Sequence, residues 1–188
     1  MNPQTAPDRA RLLQLLTELS FEKRKVTLAS GKESDFYIDC RRTALTAEGH
    51  FLIGRMLFAK VREVCPDVEG IGGMTLGADP LASAVSYTSY LAGQPLPAFL
   101  VRKEAKEHGT GRSVEAPLSL GKGARVAVLE DTLTTGGSLL RAIEKVEQQG
   151  WTVSAAIAIV DRLEGGREAV EQRGYRLHSL FTRKDFLS

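Results

Sequence analysis

Cysteine is scarce in this chain, with two in 188 residues, Cys40 and Cys65. They lie far apart and match no metal-ligand spacing. That predicts reduced, buried thiols in a cytoplasmic protein. Long apolar runs are missing too: none approaches the ~20 residues that a membrane-spanning helix needs. Met1 to Ala10 lacks the basic-then-apolar pattern of a secretion signal. Charge of one sign is not in excess: 25 Lys and Arg against 23 Asp and Glu leave a formal net charge of +2. Nothing global therefore argues for a nucleic-acid partner, or for a membrane one. No internal repeat and no low-complexity tract is visible. The phosphate loop G-x-x-x-x-G-K-[ST] does not occur. Length and a 43% hydrophobic content suit a single domain, residues 1–188, with a real core.

What the chain does have is concentrated in Val126-Ala-Val-Leu-Glu-Asp-Thr-Leu-Thr-Thr-Gly-Gly-Ser138. Four apolar residues run into the adjacent acids Glu130 and Asp131. A loop of Thr134, Thr135, Gly136, Gly137 and Ser138 follows, then Leu139, Leu140, Ile143 and Val146 at helical spacing. The pattern predicts strand, acidic turn, phosphate cradle and helix. Glycines let backbone N–H groups approach a phosphate, hydroxyls donate further bonds, and a helix N-terminus favours negative charge. The acids repel phosphate but accept hydrogen bonds, so sugar hydroxyls suit them, directly or through a metal. The alternative is a plain strand-to-helix turn with an N-cap and two solvated acids.

The rest of the chain sets this motif in an α/β frame. Residues 8–21 read as a helix with a leucine stripe. Two short extended runs, Lys25 to Leu28 and Phe36 to Asp39, flank a turn at Ser30, Gly31 and Lys32. Residues 47–64 form a long helix carrying Phe51, Leu52, Leu57, Phe58 and Val61. Val68 to Gly72 and Pro97 to Val101 read as strands on either side of a helix from Ala78 to Leu91. Val126 to Leu129 is a further strand. Val153 to Val160 is apolar throughout, as a central parallel strand buried on both faces would be. A short helix, Gly166 to Arg173, and an edge strand, Tyr175 to Phe181, complete it. Strand and helix alternate from Val68 onward, which predicts a mainly parallel sheet with its site beyond the carboxyl ends of the strands.

A second signal follows the strand ending at Val101. Arg102, Lys103, Lys106, His108 and Arg112 crowd into one loop, with Gly109 and Gly111 giving it freedom. Glu104 and Glu107 leave open the reading of a solvated loop of mixed charge. Beside a phosphosugar cradle, such cations would stabilise negative charge building on a leaving group. A loop that closes would also exclude water.

The cradle segment closely resembles the phosphoribosyl pyrophosphate (PRPP) motif of type I phosphoribosyltransferases. The resemblance implies that family's fold: a mainly parallel central sheet flanked by helices, with a small N-terminal hood. It assigns Glu130 and Asp131 to the ribose hydroxyls, and the run Thr132, Leu133, Thr134, Thr135, Gly136, Gly137 and Ser138 to PRPP and its 5′-phosphate. Within that family, R-K-x-x-K-x-H-G resembles the catalytic loop of orotate phosphoribosyltransferases. It implies that Arg102, Lys103, Lys106 and His108 bind pyrophosphate, with Lys103, Lys106 and His108 catalytic, and that the loop reaches into a neighbouring subunit of a homodimer. Thr27 to Asp39 resembles the hood, contributed by about residues 20–42, in which Phe36 and Tyr37 line the orotate pocket. Aromatic faces suit a flat pyrimidine, although core packing would also explain them. Arg162, in Val160-Asp-Arg162, matches the arginine that holds the orotate carboxylate, a task for its planar fork. A strand-end surface arginine is the alternative. Thr134 matches a residue that also touches orotate.

The resemblance runs from about Leu12 to Phe181 with two departures. Ala29 stands where many orotate enzymes have lysine. In Gly73 to Asp79, Thr75 and Leu76 stand where many have a second lysine, which leaves backbone amides and Thr75 to meet pyrophosphate. The implied activity is transfer of phosphoribose from PRPP to orotate, with Asp131 handling the proton. Mg²⁺ is the implied cofactor. It would be carried by PRPP with no dedicated protein ligand, with Glu130 and Asp131 as its candidate contacts. A purine phosphoribosyltransferase and a non-catalytic PRPP-fold regulator are the alternatives. The first would make no use of Arg162 and the second none of the cationic loop.

Overall fold

The computed structural model describes residues 5–24, 26–27, 33–104 and 113–187. Helix α1 (Thr5–Leu15) runs into a π-helical turn at Leu16–Ser20, so the helix expected over residues 8–21 is present but starts earlier and widens at its end, with Leu19 of its leucine stripe 40% exposed. Four two-residue strands follow: β1 (Phe21–Glu22), β2 (Val26–Thr27), β3 (Glu33–Ser34) and β4 (Tyr37–Ile38). β1 pairs antiparallel with β4, and β2 with β3. The expected turn at Ser30, Gly31 and Lys32 lies outside the described residues. A short helix that the sequence reading lacked, α2 (Arg41–Ala44), leads into α3 (Ala47–Val64), whose bounds match the expected ones. Thr46 caps α3 by accepting from Gly49 N–H at 3.0 Å.

Then come β5 (Gly70–Met74), α4 (Asp79–Leu91), β6 (Ala98–Val101), β7 (Val114–Glu115) and β8 (Arg125–Leu133). Helix α5 (Gly137–Gln148), β9 (Thr152–Asp161), α6 (Gly166–Gln172) and β10 (Leu177–Thr182) complete the order. The main sheet runs β10-β9-β8-β5-β6-β7, with parallel ladders between its first five strands and β7 antiparallel on β6. β9 is the buried interior strand that its apolar run predicts, and β10 is the expected edge. The edge strand β7 is too short to leave a sequence signal.

Side chains alternate across the sheet with a period of two. Ala127, Leu129, Ala155, Ile157 and Ile159 face a core shared with α1, α3 and α4. Val126, Val128, Ala156 and Ala158 face a second core under α5 and α6. Each fully buried leucine, isoleucine or valine in these cores contributes about 1.5–3 kcal/mol relative to exposure. The two cores clamp β8 and β9, so the carboxyl ends of those strands are the rigid platform for what lies beyond them.

Two expectations change. β5 starts and ends two residues later than Val68–Gly72, because its glycines are strand interior paired to β6 and β8 rather than a strand end. β8 does not stop at Leu129. Its ladder to β9 continues through Thr132↔Val160 and Leu133↔Asp161, so the acid pair belongs to the strand and not to a turn. Phe51, placed in the apolar stripe of α3, is 57% exposed.

Candidate active site

Glu130 and Asp131 sit near the carboxyl end of the clamped strand β8 and differ in their surroundings. Glu130 is 6% exposed. Burial first, and then the charge of Asp131 beside it, push its carboxyl up to about 8. Asp131 is half-buried and accepts from Thr132 N–H at 2.8 Å. Its carboxylate packs on Gly77, where an added Cβ would lie 2.8 Å from Oδ1. Gly77 lies in the expected pyrophosphate loop, Gly73 to Asp79, but nothing local marks it for this contact, which joins distant parts of the chain.

The cradle follows. Gly136 has a φ of +82° and leads directly into α5. Left-handed backbone at this point is what turns the chain from strand into helix, and glycine adopts it without cost. Gly166, at the start of α6, packs on the same loop. A Cβ there would lie 2.6 Å from the Thr134 carbonyl oxygen. Leu133 is buried in the core, so only its backbone serves the site.

Tyr37, Lys103, Glu130, Asp131, Thr132, Thr134, Ser138 and Arg162 all line one cavity of about 380 Å³. The structure thus unites residues that the sequence reading drew from the hood, the charged loop, the cradle and the β9 end. Ile38, Asp39, Arg41, Met74, Thr75, Leu76 and Gly77 close its walls. Thr135, Gly136 and Gly137 shape the turn behind it.

Arg162 is 7% exposed. Its Nη2 donates to the Phe36 carbonyl at 2.6 Å and to Glu164 Oε1 at 3.0 Å. The next residue, Leu163, has a φ of +57°, which is unfavourable for a branched side chain. Its N–H donates to Asp161 Oδ1 at 2.9 Å, and Arg167 Nε bonds Asp161 Oδ2 at 3.0 Å. The tight turn therefore aims Arg162 inward, and the surface-arginine alternative does not describe it. The ring of Phe36 is fully buried against Phe21 and Phe186, at centroid distances of 4.9 and 5.7 Å. Core packing describes that ring, while Tyr37 reaches the cavity.

Arg102 stands away from the cavity wall. Its Nε donates to Glu115 Oε1 at 2.9 Å, across the β6–β7 pair. Lys145 of α5, which the sequence reading missed, donates to the carbonyls of Arg102 and Lys103, both at 2.7 Å. It ties the foot of the charged loop to the cradle helix. Lys106, His108 and Ala29 lie outside the described residues. Cys40 is buried, receives a bond from Thr132 Oγ1 at 3.4 Å, and has its thiol pushed upward by burial. Cys65 is buried as well, so both thiols are free and enclosed as expected. A larger groove of about 1030 Å³ runs between α3 and α4, but it holds neither the acid pair nor the cradle.

A parallel sheet carrying an acid pair and a phosphate cradle at its carboxyl edge defines a class, the type I phosphoribosyltransferases. Comparison with known proteins narrows it. No family model matches the chain. An orotate phosphoribosyltransferase of Sorangium cellulosum is 51% identical over 187 residues, spanning 100% of this chain and 97% of the relative. A solved orotate phosphoribosyltransferase of Mycobacterium tuberculosis, in complex with Fe(III) dicitrate, superposes with a TM-score of 0.80 at 42% identity, covering 96% of this chain and 99% of that one. The same Mycobacterium enzyme in complex with PRPP gives a TM-score of 0.77 at 38% identity, covering 97% and 100%. The chain belongs to the orotate phosphoribosyltransferase family, whose members are pentosyltransferases.

Proposed function

We propose that this chain transfers the 5-phosphoribosyl group of PRPP to orotate, giving orotidine 5′-phosphate and pyrophosphate in pyrimidine synthesis. One observation carries the reading: the acid pair, the cradle hydroxyls and an inward-facing arginine share a single cavity. A phosphosugar and a carboxylated base fit that combination, whereas a purine carries no carboxylate for Arg162 to bind.

In this reading the 5′-phosphate rests on Thr134 to Ser138, with Thr132 and Leu133 supplying backbone. Glu130 and Asp131 hold the ribose hydroxyls. The orotate carboxylate meets Arg162 and Thr134, with Tyr37 against the ring and Phe36 supporting it from beneath. The bond from ribose C1 to the pyrophosphate oxygen breaks first, and its electron pair leaves with pyrophosphate. Orotate's ring nitrogen then bonds to C1 and releases its proton, which Asp131 takes. Lys103, which lines the cavity, receives the leaving pyrophosphate together with Lys106 and His108, and Arg102 joins them only by exchanging Glu115 for a phosphate.

Mg²⁺ is the cofactor of this reading. Burial and the charge of Asp131 push the Glu130 carboxyl upward, a cost that a cation between the two acids would relieve, and a hard cation accepts one or two carboxylates together with substrate oxygens. Glu130 and Asp131 would hold Mg²⁺ beside PRPP, where the cation would supply charge neutralisation to the leaving group. A homodimer sharing the charged loop is supported by the apolar face of α3 and α4. Phe51, Tyr87 and Leu91 are 57%, 66% and 67% exposed there, and apolar side chains grouped along one groove suit an interface between subunits. The chain acts as one domain, with residues of about 20–42 forming the hood. Enclosed free thiols support a cytoplasmic setting, and no helix among the described residues is long and apolar enough to cross a membrane.

The test is direct. The purified chain, PRPP and Mg²⁺ are mixed with orotate, and loss of orotate absorbance is followed. Adenine, hypoxanthine, xanthine and uracil are run in parallel by pyrophosphate release. Turnover with orotate alone is expected. Turnover of a different base would keep the PRPP site and overturn the base pocket. Binding of PRPP with no turnover of any base would make the chain a regulator.

A further inference from the structure

One cationic side chain of the cavity has no place in the scheme above. Arg41 begins α2, directly after the hood strand β4, and lines the cavity together with Glu130, Asp131, Thr134 and Ser138. Its guanidinium is fixed on one edge only. Nε donates to Asp39 Oδ1 at 2.8 Å and Nη2 to Asp39 Oδ2 at 2.9 Å, a bidentate pair. Nη1, on the other edge, donates to no group among the described residues.

Stability does not explain the pair. Asp39 and Arg41 are two positions apart, so their bond closes no long-range contact. The Arg41 side chain is 51% exposed, and ion pairs at such exposure contribute only about 0–1 kcal/mol. What the pair does achieve is orientation. Asp39 is only 17% exposed and removes the rotational freedom that a lone arginine would lose on meeting an anion.

Charge balance says what that anion is. The described cations of the cavity are Arg41, Lys103 and Arg162. Arg162 is engaged by Phe36 and Glu164, and faces the base. The 5′-phosphate already has the cradle. Leu76, 69% exposed on the same cavity, contributes no charge. A diphosphate entering this cavity therefore meets Lys103 and Arg41 as its described cationic partners.

We propose that Arg41 is a substrate-binding residue whose Nη1 edge, aimed by Asp39, contacts the diphosphate of PRPP and of the pyrophosphate product. The inference rests on the PRPP reading of the site and not on the identity of the base.

Calorimetric titrations of the full chain test it, with Mg²⁺ and three ligands: PRPP, pyrophosphate and ribose 5-phosphate. Arg41→Ala is expected to raise Kd for PRPP and pyrophosphate about tenfold or more, the loss of one charge-assisted bond, and to leave ribose 5-phosphate unchanged. Arg41→Lys should recover part of the loss, since it keeps the charge without the fork. Asp39→Asn should cost less than Arg41→Ala. Melting temperatures should stay together throughout. Unchanged Kd values in Arg41→Ala would overturn the proposal. So would equal losses for all three ligands, or losses that track a falling melting temperature, because those mark a structural role. If the wild-type chain failed to bind PRPP, both this inference and the reading beneath it would fall. Turnover of another base with a weakened Arg41→Ala would remove only the choice of orotate.

Discussion

The two halves of the active-site cavity are built on different plans. The half proposed for the phosphosugar is contiguous: Glu130 to Ser138 lie in one strand-to-helix passage, with Glu130 to Leu133 in the strand that pairs with β9 and Gly137 and Ser138 already in α5. The base half is assembled from afar. Arg162 meets the Phe36 carbonyl 126 positions away, and the hood that carries Phe36 and Tyr37 is held by strands of two residues each. The first half is rigid because the fold is rigid. The second depends on a handful of side-chain bonds. Changes in the first half should therefore alter chemistry at constant fold, and changes in the second should alter which base is accepted.

The sharpest break of the contiguous half is Asp131→Asn. In the proposed mechanism the substitution keeps the shape and one acceptor oxygen for the ribose hydroxyls but removes the proton acceptor. Turnover is expected to fall by about 10²–10⁴, the usual contribution of a positioned base, with PRPP affinity changing far less. Steady-state kcat beside PRPP titration measures both. An unchanged kcat would take the proton role from Asp131.

Next in size is Arg162→Ala, in the assembled half. A carboxylate held by a buried arginine is worth about 2–3 kcal/mol, so kcat/KM for orotate should drop about 100-fold, with KM for PRPP unaffected. The side chain is 8% exposed and pairs with Glu164, itself 13% exposed, so the variant also removes the nearer ion-pair partner of a buried carboxylate, which keeps Arg183 at 4.0 Å. That should cost about 1–3 kcal/mol of stability. Equal losses towards both substrates would mean that the two halves are not separable.

This contrast also governs what could be read without coordinates. The cradle was legible down to single residues, because strand, acids, glycines and helix follow each other in sequence and each type has a local physical reason. The α/β frame was legible for the same reason: periodicities of two and 3.6 mark strands and helices directly. The extent of β8 was misread because acids look like the end of a strand, and only pairing with β9 shows otherwise. Phe36 could not be told from its neighbour Tyr37, since alternation says that they face opposite ways but not which faces the cavity. Gly77, Lys145 and Arg41 left no local signal of their contacts. Each works through a partner or a cavity that is local in space and not in sequence.

A smaller effect comes from Glu130, through pH. Its folded carboxyl is held up to about 8, against an ordinary value of 4.5 in the unfolded chain. Between those values the folded chain keeps a proton that the unfolded chain has lost. This contribution to stability is fully present below pH 4.5 and is lost as pH rises through about 8. Glu130→Gln does not titrate, so its melting temperature should gain on the wild type as pH rises through that window. The gain should reach several degrees, given about 2–4 °C per kcal/mol for a chain of this size. A constant difference across the window would show that Glu130 is ionised in the free protein. Because a cation favours the ionised form, Mg²⁺ with PRPP should also release a proton on binding, which calorimetry in buffers of different ionisation heat detects.

The smallest effect tests how the hood is fastened. Arg183 bonds Asp35, comes within 4.0 Å of Glu164, and lies 5.5 Å from the centre of the Phe36 ring. It thereby clasps the hood to the residue that orients Arg162. Asp35 is 56% exposed, so the clasp contributes only about 0–1 kcal/mol to stability and is weakened by salt. Arg183→Ala should leave melting temperature and PRPP affinity close to wild type and raise KM for orotate about two- to fivefold, the fold-change of up to about 1 kcal/mol. Molar salt should raise KM for orotate in the wild type more than in the variant, since the variant has no clasp left to screen. If KM for orotate does not move in either experiment, the β1–β4 ladder and the buried Phe36 ring hold the hood unaided. The base half would then owe its geometry to packing, as the phosphosugar half does.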